Sequence, residues 1–226
     1  MVSYLCNNIQ LDINSMTTEN KNKHTSAVII ANGRYPHHSI PLSEINNASY
    51  IVCCDGAANT FIESGLTPNA IVGDLDSISE ENKIKYADIL HHETEQENND
   101  LSKAVLFCIK QNITNITIVG GTGLREDHTI GNISLLAEYV LNANVRMVTN
   151  WGVFTPIKKD TTFKSFAGEK VSIFAIDPTP MTVAGLKYEI NNRVLTNWWQ
   201  GTLNESLGEA FSISTKGRVI IFQAFE

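Results

Sequence analysis

From Ala27 to Thr149 short apolar runs alternate with stretches of helical periodicity, and few folds are compatible with that rhythm. The runs Ala27–Ala31, Tyr50–Cys54, Ala70–Val72, Ile89–His91, Thr117–Val119 and Val145–Thr149 are the right length for buried strands and too short for buried helices. Between them lie helical patterns. Ala57–Ser64 ends at Gly65, a residue suited to closing a helix. Ser79 is placed to cap a helix that runs to Tyr86. Leu101, Ala104, Val105 and Cys108 share one face of a third helix, and Ile130, Ile133, Ala137, Val140 and Leu141 share one face of a fourth. Strands alternating with helices predict βαβ units around a mostly parallel sheet.

After about Asn150 the helical period stops. Thr161–Phe166, Lys170–Ile176, Met181–Val183, Leu186–Ile190, Ala210–Ser214 and Arg218–Phe225 are short, strand-like and separated by Gly, Pro and Asn. The sequence therefore predicts an α/β domain over residues 26–152, followed by a small all-β sandwich over 160–226, with the boundary between Trp151 and Asp160. Residues 1–25, rich in Asn, Thr and Lys, are expected to form a loosely attached extension.

Bulk properties narrow the classes of function. A chain of 226 residues with 42% hydrophobic content can bury a sizeable core. A net charge of -7 argues against broad binding to nucleic acid or to an anionic membrane surface. No apolar run approaches the length of a membrane span, and the first residues lack a basic region followed by an apolar stretch, so no secretory signal is expected. Cys6, Cys53, Cys54 and Cys108 show no zinc-type spacing and read as reduced cysteines. A cytoplasmic location is the default expectation.

In a parallel sheet, ligands sit beyond the carboxyl ends of the strands, and four polar clusters are expected at that edge. They are Asn32-Gly33, Asp55-Gly56, Gly73-Asp74-Leu75-Asp76-Ser77 and Gly120-Gly121-Thr122-Gly123; the last leads through Arg125, Asp127 and His128 into a helix that holds Asn132. Each alone is composed of ordinary turn residues; four at one edge point to a site. If the segment after Val72 is extended, Asp74 and Asp76 project to the same side. Two carboxylates facing one cleft with no built-in cation call for an external one, and Mg²⁺ with substrate phosphates is the simplest candidate. Asp100, just before the third helix, is either a third member of that site or a helix cap. Asp127 is open to the same two readings, and His128 is either a phosphate contact or a packing residue. Lys103 either pairs with phosphate or is solvated. Small residues leading into a helix suit phosphate binding through backbone N–H groups, which makes Gly121 and Thr122 candidates. The adjacent Trp198 and Trp199 suggest one ring in the core and one at an interface or ligand.

These clusters, in this order, resemble the thiamine pyrophosphokinase family. The residues that carry the resemblance are Asp55-Gly56-Ala57-Ala58-Asn59, Gly73-Asp74-Leu75-Asp76-Ser77-Ile78, Gln96-Glu97-Asn98-Asn99-Asp100 with Lys103-Ala104 after it, Arg125-x-Asp127-His128 followed by Asn132, and Gly185-Leu186-Lys187-Tyr188. The resemblance implies an α/β catalytic domain, a β-sandwich that helps bind thiamine, and a homodimer with active sites at the subunit interface. It also implies transfer of the pyrophosphoryl group of ATP to the thiamine hydroxyl, with Mg²⁺. On this basis Asp74, Asp76 and Asp100 are expected around metal and phosphates, Gln96, Arg125 and Asp127 nearby, and Asn32 and Asp55 further out. Asn204 and one of the two tryptophans are expected at thiamine, although Leu203 stands where the family has a serine. Either Asp100 or Asp127 accepts the hydroxyl proton. Two rival readings remain at this point: another metal-dependent nucleotide transferase, and a non-catalytic sensor of thiamine or nucleotide.

Overall fold

The structure, a computed structural model, describes residues 24–95 and 97–226. Of the expected N-terminal extension, residues 1–23 lie outside the described residues, as does Gln96. The α/β part runs in the order β1 (Ser26–Ile30), α1 (Ser39–Asn46), β2 (Ile51–Cys54), α2 (Ala57–Glu63), β3 (Ala70–Gly73), α3 (Glu80–Lys85), β4 (Leu90–His92), α4 (Asp100–Lys110), β5 (Asn115–Val119), α5 (Glu126–Tyr139) and β6 (Asn144–Val148). These six strands are parallel, in the spatial order β6-β5-β1-β2-β3-β4. Ile29, Ile30, Val52, Cys53, Ile71, Val72, Ile118 and Val119 are all buried, as befits strands covered on both faces. The strand order reverses between β1 and β5, which places a ligand crevice at their carboxyl ends.

The remaining strands are β7 (Gly152–Ile157), β8 (Thr161–Lys164), β9 (Lys170–Ala175), β10 (Met181–Ala184), β11 (Ile190–Arg193), β12 (Asn204–Glu205), β13 (Ala210–Thr215) and β14 (Val219–Ala224). β7 pairs antiparallel with β6, and β14, β9 and β12 follow it, so the parallel sheet continues into an antiparallel half of one ten-stranded sheet. A second, four-stranded antiparallel sheet, β11-β10-β13-β8, packs on that half. Ile173, Met181, Val183, Phe211, Ile213, Val219 and Ile221 form the core between the two layers. Ile220, on the opposite face of β14, joins the core of the α/β part. Alternation along one strand thus serves two cores at once.

Two fastenings tie the halves together, the first at the site edge and the second at the opposite edge of the sheet. The His37 and His38 backbone N–H groups donate to Asn150 Oδ1 at 2.8 and 3.0 Å, and the His38 ring stacks on Phe225 at 4.8 Å. Arg218, at the entry to β14, binds Asp177 through two nitrogens and reaches Glu138 of α5 at 2.5 Å.

Several local expectations are revised. α1 was not expected; Pro41 lies in its first turn, where a missing N–H costs nothing, and the His38 side chain accepts from Ile40 N. In α5, Leu136, Ala137 and Tyr139 face the core, whereas Ile130 is 56% exposed. Ile130 sits at the start of the second turn, near the end of the helix that meets the strand ends. Leu186 makes only an isolated bridge to Ser206, and the strand expected to end at Ile190 begins there. Among the described residues no helix is long and apolar enough to cross a membrane.

Candidate active site

The loops after β1 and β5 are zipped together. Gly33 N donates to Gly120 O at 2.7 Å and Arg34 N to Thr122 O at 2.9 Å. A side chain on Gly33 would run into the Gly120 carbonyl and lie 2.7 Å from Thr122 O, so only glycine permits this approach. Asn132, in α5, donates to Gly121 O at 2.9 Å and accepts from Asn99 at 3.3 Å, which ties the Gly-rich loop to the start of α4. The Asn32 amide stands directly over Gly56. All four polar clusters therefore meet at one edge.

Asp55, at the end of β2, is 1% exposed. Its two carboxylate oxygens accept the Ser77 and Ile78 backbone N–H groups at 3.1 and 3.2 Å, so it anchors the whole Gly73–Ile78 loop. Asn59 braces the same loop, donating to Ser77 O at 2.9 Å and accepting from Ser79 N at 3.0 Å. The loop is not extended. Leu75 takes a left-handed conformation (φ 63°), and Asp74 Oδ1 accepts Asp76 N at 3.4 Å. Asp74 and Asp76 thus converge through a turn, not through strand alternation. Ligand oxygens of Asp55, Asp74 and Asp76 all lie within 4.8 Å of one another.

Asp100 stands beside this group: a side chain on Gly73 would lie 2.6 Å from Asp55 Cβ and 3.2 Å from Asp100 Oδ1. It is not the helix cap. Asn99 fills that role, accepting Ser102 N at 2.9 Å, and the Asp100 carboxylate is left for the cleft. The cleft does contain a built-in cation, which overturns the expectation of a bare acidic pair. Lys103 Nζ lies 3.3 Å from Asp100 Oδ1 and 3.9 Å from Asp74 Oδ2. The sequence offers Lys103 as a phosphate contact or a solvated lysine, and only its i,i+3 spacing from Asp100 hints at this pairing.

Burial raises the Asp55 carboxyl to about 6, with Asp100 and Asp76 adding to the rise and the Ser77 and Ile78 N–H groups opposing it. The Ser77 hydroxyl, 2.7 Å from Asp76 Oδ1, leads the effects that hold Asp76 below its ordinary value. The cluster thus carries its charge unevenly, with one buried carboxyl that resists ionisation and one exposed carboxylate that favours it.

Arg125 grips Asp127 through Nε at 3.1 Å and Nη2 at 2.5 Å, and this pairing holds the Asp127 carboxyl down to about 2. Asp127 is in the first turn of α5 rather than at its cap, which is Arg125. His128 is exposed and gives its backbone N–H to Asp127 at 3.0 Å. In the second domain Trp198 packs edge-on against Phe174 at 5.7 Å, and Trp199 is 72% exposed. Neither ring is in the core. The buried Asn204 amide binds on both sides: it accepts Tyr188 N and Glu205 N, and donates to Tyr188 O. Thr202 Oγ1 donates to Trp199 O at 2.8 Å. Leu203 is left-handed (φ 60°) and 88% exposed.

Three convergent carboxylates with a fourth adjacent, all hard oxygen donors, fit a divalent cation such as Mg²⁺. They lie at the reversal point of a parallel sheet beside Gly-rich loops, an arrangement suited to holding a metal and a phosphate chain.

Comparison with known proteins makes this specific. Residues 42–149 match the family model "Thiamin pyrophosphokinase, catalytic domain", and residues 152–222 match "Thiamin pyrophosphokinase, substrate-binding domain". The chain is 29% identical over 187 residues to Thiamin pyrophosphokinase 1 of Caenorhabditis elegans, covering 66% of this chain and 68% of that protein. It is 32% identical over 156 residues to the thiamine pyrophosphokinase of Bacillus subtilis (strain 168), covering 63% and 71%. The fold matches the crystal structure of the Bacillus subtilis thiamine pyrophosphokinase with a TM-score of 0.75 at 22% identity, covering 89% of this chain and 99% of that one. It also matches the Candida albicans thiamin pyrophosphokinase, with a TM-score of 0.73 at 19% identity and 90% coverage of each. The chain belongs to the thiamine pyrophosphokinase family and is an enzyme of that family, which removes the sensor and the unrelated transferase as rivals.

Proposed function

We propose that the chain uses Mg²⁺ and ATP to pyrophosphorylate thiamine. The thiamine hydroxyl oxygen forms a bond to the β-phosphorus of ATP, the bond from that phosphorus to the oxygen shared with the α-phosphorus breaks, and AMP leaves as thiamine diphosphate forms. The observation that carries this reading is the convergence of Asp55, Asp74 and Asp76 beside Asp100 and Lys103 at the carboxyl edge of the sheet.

Asp74, Asp76 and Asp100 are the proposed metal ligands, with Asp55 holding their loop. When bound, the metal would neutralise phosphate oxygens and hold the chain in line for attack. Gly121 and Thr122, with the Asn32 amide opposite, form the proposed phosphate cradle. Arg125 releases Asp127 in part to meet charge on the leaving AMP, and His128 adds a contact there. Asp100 or Asp127 takes the hydroxyl proton. Gln96 is proposed near the metal and phosphates, as the resemblance implies. Thiamine is cationic, so stacking on Trp198 or Trp199 contributes about 0.5–2 kcal/mol. Asn204 serves that subsite by fixing Tyr188 and β12.

A homodimer with sites at the interface is part of the proposal, supported by the exposed Tyr188, Trp199, Leu203 and Leu207. The proposed location is the cytoplasm, supported by the free, buried Cys53, Cys54 and Cys108. The test is omission. The complete mixture should yield AMP, and leaving out either thiamine or Mg²⁺ should abolish it. AMP formed without thiamine would overturn the reading.

A further inference from the structure

Lys103 is the only basic side chain buried among the described residues, at 6% exposure. A lysine is almost never buried without charged partners, and this one has two, from different parts of the chain. Asp100, one turn earlier on α4, is the partner that any i,i+3 helical pair would supply. Asp74 is not: it comes from the loop after β3 and is reached only because α4 packs against β3. The Lys103 side chain also lines a cavity of about 470 Å³ together with Glu93, Glu95, Glu97 and Lys110. The ammonium therefore supplies positive charge to Asp74 and Asp100 from within the cluster.

We infer that Lys103 is a positioning residue that takes the place of a second divalent cation, so that Asp74, Asp76 and Asp100 together hold one ion. The inference rests on the proposed reading of the cluster as a metal site. Four ionised carboxylates and one ammonium carry a net charge of minus three. In the free enzyme one divalent ion leaves minus one, whereas two with the lysine would reverse the sign. A fixed unit charge about 6 Å from a divalent ion weakens its binding about tenfold even at the dielectric of water. Lys103 therefore keeps the metal exchangeable in the free enzyme.

The test is a Mn²⁺ titration of the full chain without nucleotide or thiamine, with free Mn²⁺ followed by electron paramagnetic resonance. Wild type should bind one Mn²⁺ per chain. Lys103→Met should bind a second ion, or bind the first at least about tenfold more tightly. Lys103→Arg, which keeps the charge, should remain at one ion. In steady-state assays Lys103→Met should lower both the Mg²⁺ requirement and kcat, a split that a purely structural ion pair does not produce. Two ions bound by wild type would overturn the inference, as would a folded Lys103→Met that binds one ion within about twofold of wild type. If Lys103→Met does not give a native circular dichroism spectrum, Lys103→Gln is read the same way, and the wild-type stoichiometry stands as a test by itself. A wild type that binds no Mn²⁺ would overturn the metal reading of the cluster, and this inference with it.

Discussion

Asp55 gives the most quantitative handle on the site. Its carboxyl ionises near 6 in the folded protein, against an ordinary 3.8, chiefly because the residue is buried. A carboxyl whose value is raised by folding stabilises the fold most when protonated. That contribution is fully present below about pH 4, is lost as pH rises through about 6, and is absent above. The shift of about two pH units corresponds to about 3 kcal/mol. Asp55→Asn removes the titration while keeping the shape. The stability of wild type minus that of the variant, from urea unfolding in EDTA, should therefore fall by about 3 kcal/mol between about pH 4 and pH 6 and then level off. The lowered carboxyls of Asp76 and Asp127 act below this window, with the opposite sign. Adding Mg²⁺ at neutral pH should restore more stability to wild type than to the variant, because the metal favours the ionised cluster. A difference that stays flat within about 0.5 kcal/mol across the window would refute the claim that burial tunes this carboxyl.

Asp76→Asn should reduce kcat on the order of 10²-fold while leaving the urea midpoint unchanged, since Asp76 is exposed and anchors nothing beyond its own loop; full activity at saturating Mg²⁺ would remove Asp76 from the metal site. Asn99→Ala removes the cap of α4 and its link to Asn132, and should cost about 1 kcal/mol in urea unfolding. Gly33→Ala forces the loops after β1 and β5 apart and should destabilise by about 1–3 kcal/mol, with a rise in KM for ATP measured by coupled assay.

The parallel half of the fold was legible in the sequence because its signals are local. β1, β2, β3, β5 and β6 are apolar runs, and α4 buries the face that its periodicity marks. The gathering of four polar loops at one edge followed from that topology alone. What was not legible depends on contacts between distant residues. Nothing local shows that β7 pairs with β6, so the continuity of the ten-stranded sheet was hidden. The left-handed turn at Leu75 is imposed by Asp55, 20 positions earlier, and by Asn59, so Asp74 and Asp76 converge for a reason other than the strand alternation that the sequence suggests. Lys103 reads in the sequence as a phosphate contact or a solvated lysine; its pairing with Asp74, from the loop after β3, has no local signal. The cap at Asn99 and the pairing of Arg125 with Asp127 each resolved an ambiguity that composition left open.

The most direct measurement is the identity and ratio of the two products. Purified chain incubated with ATP, Mg²⁺ and thiamine, followed by ³¹P nuclear magnetic resonance, should form AMP and thiamine diphosphate in equal amounts as ATP is consumed. ADP with thiamine monophosphate would contradict the account, because attack would then fall on the γ-phosphorus and the phosphate chain would be held in a different register over Asp74 and Asp76.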